Sequence, residues 1–162
     1  MNRPELMAMV IAFLVLLLVL MAVGWRARKR RQAGVAVPAS APAELGAELG
    51  TFAGKYVATT AAGDPLDRIA VHGLGFRSNT EVTVAENGVL VHIDGTEDKW
   101  IPAADLRDHR KATWTIDRVV EQDGLELLEW NLGDRVVDSY FRFDDWMDFE
   151  FAVDKLIVKK AA

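Results

Sequence analysis

Between Leu6 and Trp25 the chain runs for 20 residues, LMAMVIAFLVLLLVLMAVGW, without one charged side chain. At a rise of about 1.5 Å per residue a helix of that length covers about 30 Å, the thickness of a bilayer's hydrocarbon core. Everything downstream is then read as tethered to this anchor.

The flanks argue against a cleaved signal peptide, which carries its positive charge in front and a small-residue cleavage site behind. Here only Arg3 precedes the run, beside Glu5, and five of the six residues after Trp25, in RARKRR, are basic. No A-x-A site stands before that cluster. The expectation is an uncleaved single span. Lys and Arg flanking a span are retained in the cytoplasm, which places the short N-terminus outside and the rest of the chain inside, at the inner membrane of the cell. Trp25 suits the interface, where an aromatic ring with a polar N–H is favoured. Arg26, Arg28, Lys29, Arg30 and Arg31 then meet anionic headgroups, at about 1 kcal/mol each. Ala8 and Ala12 form a small-xxx-small pair that lets helices approach, although alanine is also simply common in such spans.

The absence of cysteine from all 162 residues excludes a disulfide scaffold, an Fe–S cluster, a thiol nucleophile and a cysteine zinc site. The net charge of −5 is unevenly divided. Residues 1–32 carry six basic side chains and one acid, a net +5, whereas the remainder carries 13 basic and 23 acidic, a net −10. A domain of that sign repels nucleic acid and anionic lipid as a whole, so no nucleic-acid partner is expected. The basic collar is a local device of the membrane boundary.

Gln32–Gly50 is dominated by Ala, Pro, Gly and Ser and reads as a linker over 32–50, with a helical turn as an option at Ala43–Leu49. Thr51 onward, the soluble domain of 51–162, changes to strands. Phe52–Thr60 and Asp67–His72 flank a Gly63-Asp64-Pro65 turn signal. Glu81–Glu86 and Val89–Asp94 flank Asn87-Gly88, a strong hairpin signal. Lys99–Ile101 is a short strand stopped by Pro102, and Ala103–His109 reads as a turn or two of helix. Trp114–Gln122 and Leu125–Trp130 form a hairpin about Asp123-Gly124, and Arg135–Phe143 is a long strand after the Asn131–Asp134 turn. There Val137, Ser139, Phe141 and Phe143 share one face, and Val136, Asp138, Tyr140 and Arg142 the other. After Asp144-Asp145 the period switches: Phe149, Ala152, Val153, Leu156 and Ile157 mark an amphipathic helix, with Lys159 and Lys160 suiting its C-terminal end. The expected fold is mainly β (α+β): seven or eight short antiparallel strands and one C-terminal helix.

Several stretches carry a resemblance. They are Lys55-Tyr56-Val57-Ala58-Thr59-Thr60, Leu66-Asp67-Arg68-Ile69, Gly73-Leu74-Gly75-Phe76-Arg77, Asn87-Gly88-Val89, Ile101-Pro102, Trp130 and Val137-Asp138-Ser139-Tyr140-Phe141-Arg142. Together with the anchor they resemble small actinobacterial single-span membrane proteins that carry a bacterial pleckstrin-homology-like (PH-like) domain. The resemblance implies an antiparallel β-sandwich of about seven strands whose open end is plugged by the C-terminal helix. It also implies a membrane-tethered binding or assembly module with no established catalytic activity.

Candidate chemistry is sparse. His72, His92 and His109 show no metal-ligand spacing and read as surface or edge residues. Asp144, Asp145, Asp148 and Glu150 pair as a cation or catalytic site less readily than as the acidic start of a helix. Asp94–Asp98 lacks the ligand spacing of an EF-hand, and Gly73-Leu74-Gly75 lacks the third glycine and the helix of a phosphate loop. Trp100, Trp114, Trp130 and Trp146 read as packing residues. Arg68, Arg77, Arg107, Arg110 and Lys111 are candidate anion or partner contacts at the open end of a PH-like sandwich. The first turn of such a fold, Thr60–Leu66, has no basic residue and contains Asp64, which argues against the familiar mode of headgroup binding.

No catalytic residue, metal or cofactor is therefore assigned. The expected partners are the bilayer, through the N-terminal helix, and another membrane or cytoplasmic protein held as by a scaffold or accessory subunit. Lipid-headgroup or small-ligand sensing is the alternative.

Overall fold

The computed structural model describes residues 2–115, 118–119 and 124–161. They form two compact units, one ending at Gly34 and one beginning at Val35.

The first unit is α1, Arg3–Arg31, a helix long and apolar enough to cross a membrane. Pro4 stands in its first turn, and the Asn2 N–H donates to Glu5 Oε2 at 3.0 Å, closing the N-terminus. Its apolar side chains from Leu6 to Val23 are exposed. Arg28, Lys29, Arg30 and Arg31 fill the last turn, where the helix dipole favours cations. At about 43 Å the helix exceeds a hydrocarbon layer of about 30 Å, which leaves length for the charged turn outside it.

The second unit is an eight-stranded antiparallel sheet and a closing helix. The strands are β1 (Glu48–Ala61), β2 (Asp64–Arg68), β3 (Ser78–Ala85), β4 (Gly88–Ile93), β5 (Lys99–Pro102), β6 (Leu106–Ala112), β9 (Leu125–Leu132) and β10 (Arg135–Phe143). Two two-residue strands, β7 (Trp114–Thr115) and β8 (Arg118–Val119), pair separately, and α2 (Trp146–Ala161) ends the fold. The sheet order is β5-β4-β3-β1-β10-β9-β6, with β2 beside β1.

β1 organises this unit. Its first part pairs with β3 and its second with β10, and Gly54–Tyr56 pairs with both. Gly54 sits at the changeover, where a Cβ would come within 2.4 Å of the Arg142 carbonyl oxygen. A bulge at Val57 follows, between Tyr56 and Ala58, and bulges turn strands. One strand thus serves two half-sheets that fold over a common core. That core holds Tyr56, Val82, Val84, Val89, Val91, Ile93, Leu106, Leu128, Trp130, Val137, Phe141 and Phe143. Phe149, Ala152, Val153 and Leu156 of α2 complete it, and the Phe149 ring lies 4.4 Å from Phe143 and 5.4 Å from Phe52.

The structure differs from the sequence reading at five places. The linker expected over 32–50 is laid on the sheet from Val35 onward. Val35 is buried, Trp100 N–H donates to the Ala39 carbonyl at 2.9 Å, and the Leu45 and Ala47 carbonyls accept from Asn87 and Glu86. Backbone hydrogen bonds hold this segment, and composition does not report them. The strand expected at Asp67–His72 begins and ends earlier, because Gly63 (φ 76°) turns the chain so that Asp64 and Arg68 meet Ala61 and Thr60. The helical turns expected at Ala103–His109 are strand β6 from Leu106, since β9 needs an edge partner there. β10 is buried on both faces. Val137, Phe141 and Phe143 face the main core as expected, and Tyr140 joins a second cluster with Val57, Leu125 and Leu127. Finally, the hairpin expected between Trp114–Gln122 and Leu125–Trp130 is replaced, among the described residues, by pairing of Trp114–Thr115 with Arg118–Val119 and of β9 with β6 and β10. Residues 116–117 and 120–123 lie outside the described residues.

Candidate functional site

Several residues that carry the resemblance build the core. The Trp130 indole N–H donates to Ser139 Oγ at 2.9 Å, Ser139 Oγ lies 2.7 Å from Thr59 Oγ1, and Thr59 lies 2.8 Å from the Tyr56 hydroxyl. Tyr56 reaches the Leu74 carbonyl at 2.9 Å. Every member is buried, so each would cost stability without its neighbour. Burial raises the Tyr56 pKa, although Thr59 and Arg68 oppose the shift. This chain ties β9, β10, β1 and the loop after β2 together.

The five candidate cations do not converge. Arg68 ends β2, and its guanidinium reaches the carbonyls of Gly75 (3.5 Å) and Val57 (3.4 Å). Arg107 and Arg110 stand on β6. Arg107 Nε donates to Glu129 at 3.0 Å, and Arg110 meets Glu129 at 3.0 Å, Asp108 at 3.1 Å and Asp138 at 3.5 Å. Burial pushes the Asp138 carboxyl up, against the Gly63 N–H and Arg110 that favour its charge. Lys111 lies 3.4 Å from the centre of the Trp146 ring and 3.1 Å from Glu150 Oε2, so it ties β6 to α2. Arg77 alone reaches a basic surface. It lines a cavity of about 420 Å³ with Lys55, Arg142, Ala53, Gly54 and Asp144. Lys55 stands directly across β10 from Arg142 and across β3 from Asn79, to which it donates. Like charges opposed across a strand pair are unfavourable. Lys55 and Arg142 escaped the sequence reading because 87 positions separate them. Only the register of β1 on β10 brings them together.

The histidines also disperse. His92 is exposed and lies 2.6 Å from Asp98, and that hydrogen bond raises its pKa. His72, at φ 57°, sets Nε2 2.8 Å from the Val35 carbonyl. His109 stands on β6, an edge strand of the sheet, but its side chain is not at the surface. It and Glu126 are each 3 % exposed, with Nε2 and Oε2 2.7 Å apart under Phe149. Burial lowers the imidazole pKa, but the hydrogen bond and charge of Glu126, with Asp154 and Glu150 behind it, outweigh that, and the pKa is raised.

A row of exposed apolar side chains lies on α2. Its inner line is buried, yet Met147 (65 %), Phe151 (74 %) and Val158 (68 %) are exposed on the opposite line, with Trp146 beside them. Asp144, Asp145, Asp148 and Asp154 surround this stripe and are exposed. The sheet edges offer less. β5 is four residues long and is bridged to Ala39, and β6 presents Arg107, Asp108 and Arg110. In the first unit, Lys29 Nζ lies 5.5 Å from the Trp25 ring, a cation–π contact at the start of the basic collar.

A long apolar N-terminal helix, an antiparallel sheet bent about one shared strand and a helix closing its open end are the arrangement the resemblance implied. A family model described as Bacterial PH domain-like matches residues 35–156, from buried Val35 to buried Leu156 of α2. A comparison with curated proteins returns no match. The match spans well over half of the chain, which therefore belongs to the bacterial PH domain-like family.

Proposed function

We propose that this protein is a single-pass membrane-anchored interaction module. α1 spans the inner membrane with Trp25 and the Arg26–Arg31 collar at its cytoplasmic boundary. The PH-like domain stands in the cytoplasm and acts as an accessory or scaffold subunit of a transport or envelope complex. The resemblance to small actinobacterial single-span proteins supports this reading. The observation that carries it is the outward apolar stripe of α2, a row of exposed Met147, Phe151 and Val158 flanked by charged side chains. Exposed apolar patches of this kind mark contact surfaces. A net charge of −10 after residue 32 weighs against a lipid surface as the occupant. The role is non-catalytic: the buried His109–Glu126 pair is closed off by Phe149 and serves the docking of α2.

A photo-crosslinking residue at Phe151, in intact membranes, is expected to give protein adducts that the same residue at exposed Val37 does not. Monomer alone from both positions would contradict the reading. The Lys55–Arg77–Arg142 surface favours a second reading, the capture of an anionic headgroup. It requires salt-sensitive sedimentation of the detergent-free domain with anionic vesicles, lost on Arg77→Glu.

A further inference from the structure

Resting on the reading of α2's outer face as a contact surface, we propose that it pairs with the same face of a second copy of this chain. The two helices run antiparallel about an axis at Phe151. Met147, Phe151 and Val158 stand on one line of α2, directly opposite the buried line of Phe149, Ala152, Val153 and Leu156. Asp154, the polar residue on the outer line, is drawn toward β6, 3.6 Å from His109 Nδ1.

Asp148 and Lys155 flank this line on one side, two turns apart and both exposed. Neither has an ion-pair partner among the described residues. In an antiparallel pair the same flank of each helix meets, and a two-fold axis makes every contact twice. Asp148 of one copy then falls opposite Lys155 of the other, and Lys155 opposite Asp148. The midpoint of these two positions is Phe151–Ala152, so the axis that satisfies both charges also stacks Phe151 on its counterpart. Phe151 is the most exposed aromatic side chain among those described. A parallel pair would instead turn Asp148 toward Glu150. The stripe is thus complementary to itself in charge.

One helix face falls well short of the about 800 Å² per partner that stable complexes bury. The pair therefore depends on both copies being held in one membrane, which raises their effective concentration. A two-fold axis along the membrane normal lets both anchors enter the bilayer the same way.

The natural chain has no cysteine, so single cysteines report without background. Full-length Phe151→Cys, oxidised in native membranes, is expected to give disulfide-linked dimer at least about fivefold above Val37→Cys, by the effective concentration that pairing confers. A chain carrying Met147→Cys and Val158→Cys, with Phe151 intact, is expected to dimerise likewise. In the Phe151→Cys background, Asp148→Lys or Lys155→Asp alone sets like charges together and should lower the yield about fivefold, and the two combined should restore it. Cysteine yields at the Val37 level from both cysteine variants, or charge exchanges that neither lower nor restore the yield, would overturn the self-pairing. If photo-crosslinking at Phe151 then still captures a different protein, the interaction reading stands and its partner is not a second copy.

Discussion

α1 and α2 both present a row of apolar side chains to their surroundings, and the rest of each helix shows what those surroundings are. α1 is apolar around its whole circumference from Leu6 to Val23 and is charged only at its ends. That pattern suits a solvent that is itself apolar. α2 buries Phe149, Ala152, Val153 and Leu156 and exposes Met147, Phe151 and Val158 between acids. A helix with two apolar lines and charged flanks fits between two protein surfaces. The sheet supplies one of them. The two helices also differ in charge: a basic collar ends α1, and acids open α2.

This contrast can be broken from the inside first. Phe149→Ala removes the ring that packs on Phe143 and Phe52, and it should destabilise the domain by about 4 kcal/mol, read as a lower midpoint in thermal unfolding of the detergent-solubilised chain. Leu16→Arg places a charge at the middle of α1 and should cost about 3 kcal/mol of insertion, moving the chain out of the membrane fraction while the domain's unfolding midpoint stays put. Glu126→Leu leaves His109 Nε2 without its buried hydrogen-bond partner and should cost about 2 kcal/mol.

The same pair gives a pH signature. The folded His109 pKa is raised by Glu126, Asp154 and Glu150 against the effect of burial. Its contribution is therefore complete below the ordinary histidine value of about 6.5 and is lost as pH rises through the raised folded value. Stability should decline across that range in the natural chain and decline less in His109→Gln. The smallest effect is expected on the outer line. Phe151→Ser should change stability by no more than about 0.5 kcal/mol, because the side chain touches little of its own domain.

These sites were unequally legible in the sequence. The strict period of Arg135–Phe143 gave β10 its bounds, and the three-and-four spacing from Phe149 to Leu156 gave α2 its inner face. Both signals are local. The outer line of α2 was equally present in the letters, but an exposed Phe and a buried one look alike until the opposite face is shown to be occupied. Arg107 and Arg110 read as free cations because Glu129 and Asp138 reach them only through the β6–β9–β10 register. His109 read as a surface or edge residue; it does stand on the edge strand β6, but its burial was not legible because its partner Glu126 stands on another strand and its cover, Phe149, on the helix. The segment after Val35 misled in the other direction. Its Ala and Pro content suggests a coil, while its carbonyls are hydrogen-bonded to Trp100, Asn87 and Glu86.

The central claim is that the outward face of α2 is covered in the membrane-bound protein while the rest of the domain surface is free. Labelling with a membrane-impermeant maleimide tests it most directly, with Phe151→Cys and Val37→Cys compared in inside-out vesicles and in intact cells. The expected result is ready labelling of Val37→Cys in inside-out vesicles, roughly fivefold slower labelling of Phe151→Cys there, since a contact surface excludes reagent, and no labelling of either in intact cells. Equal labelling of the two positions in the vesicles would contradict the claim.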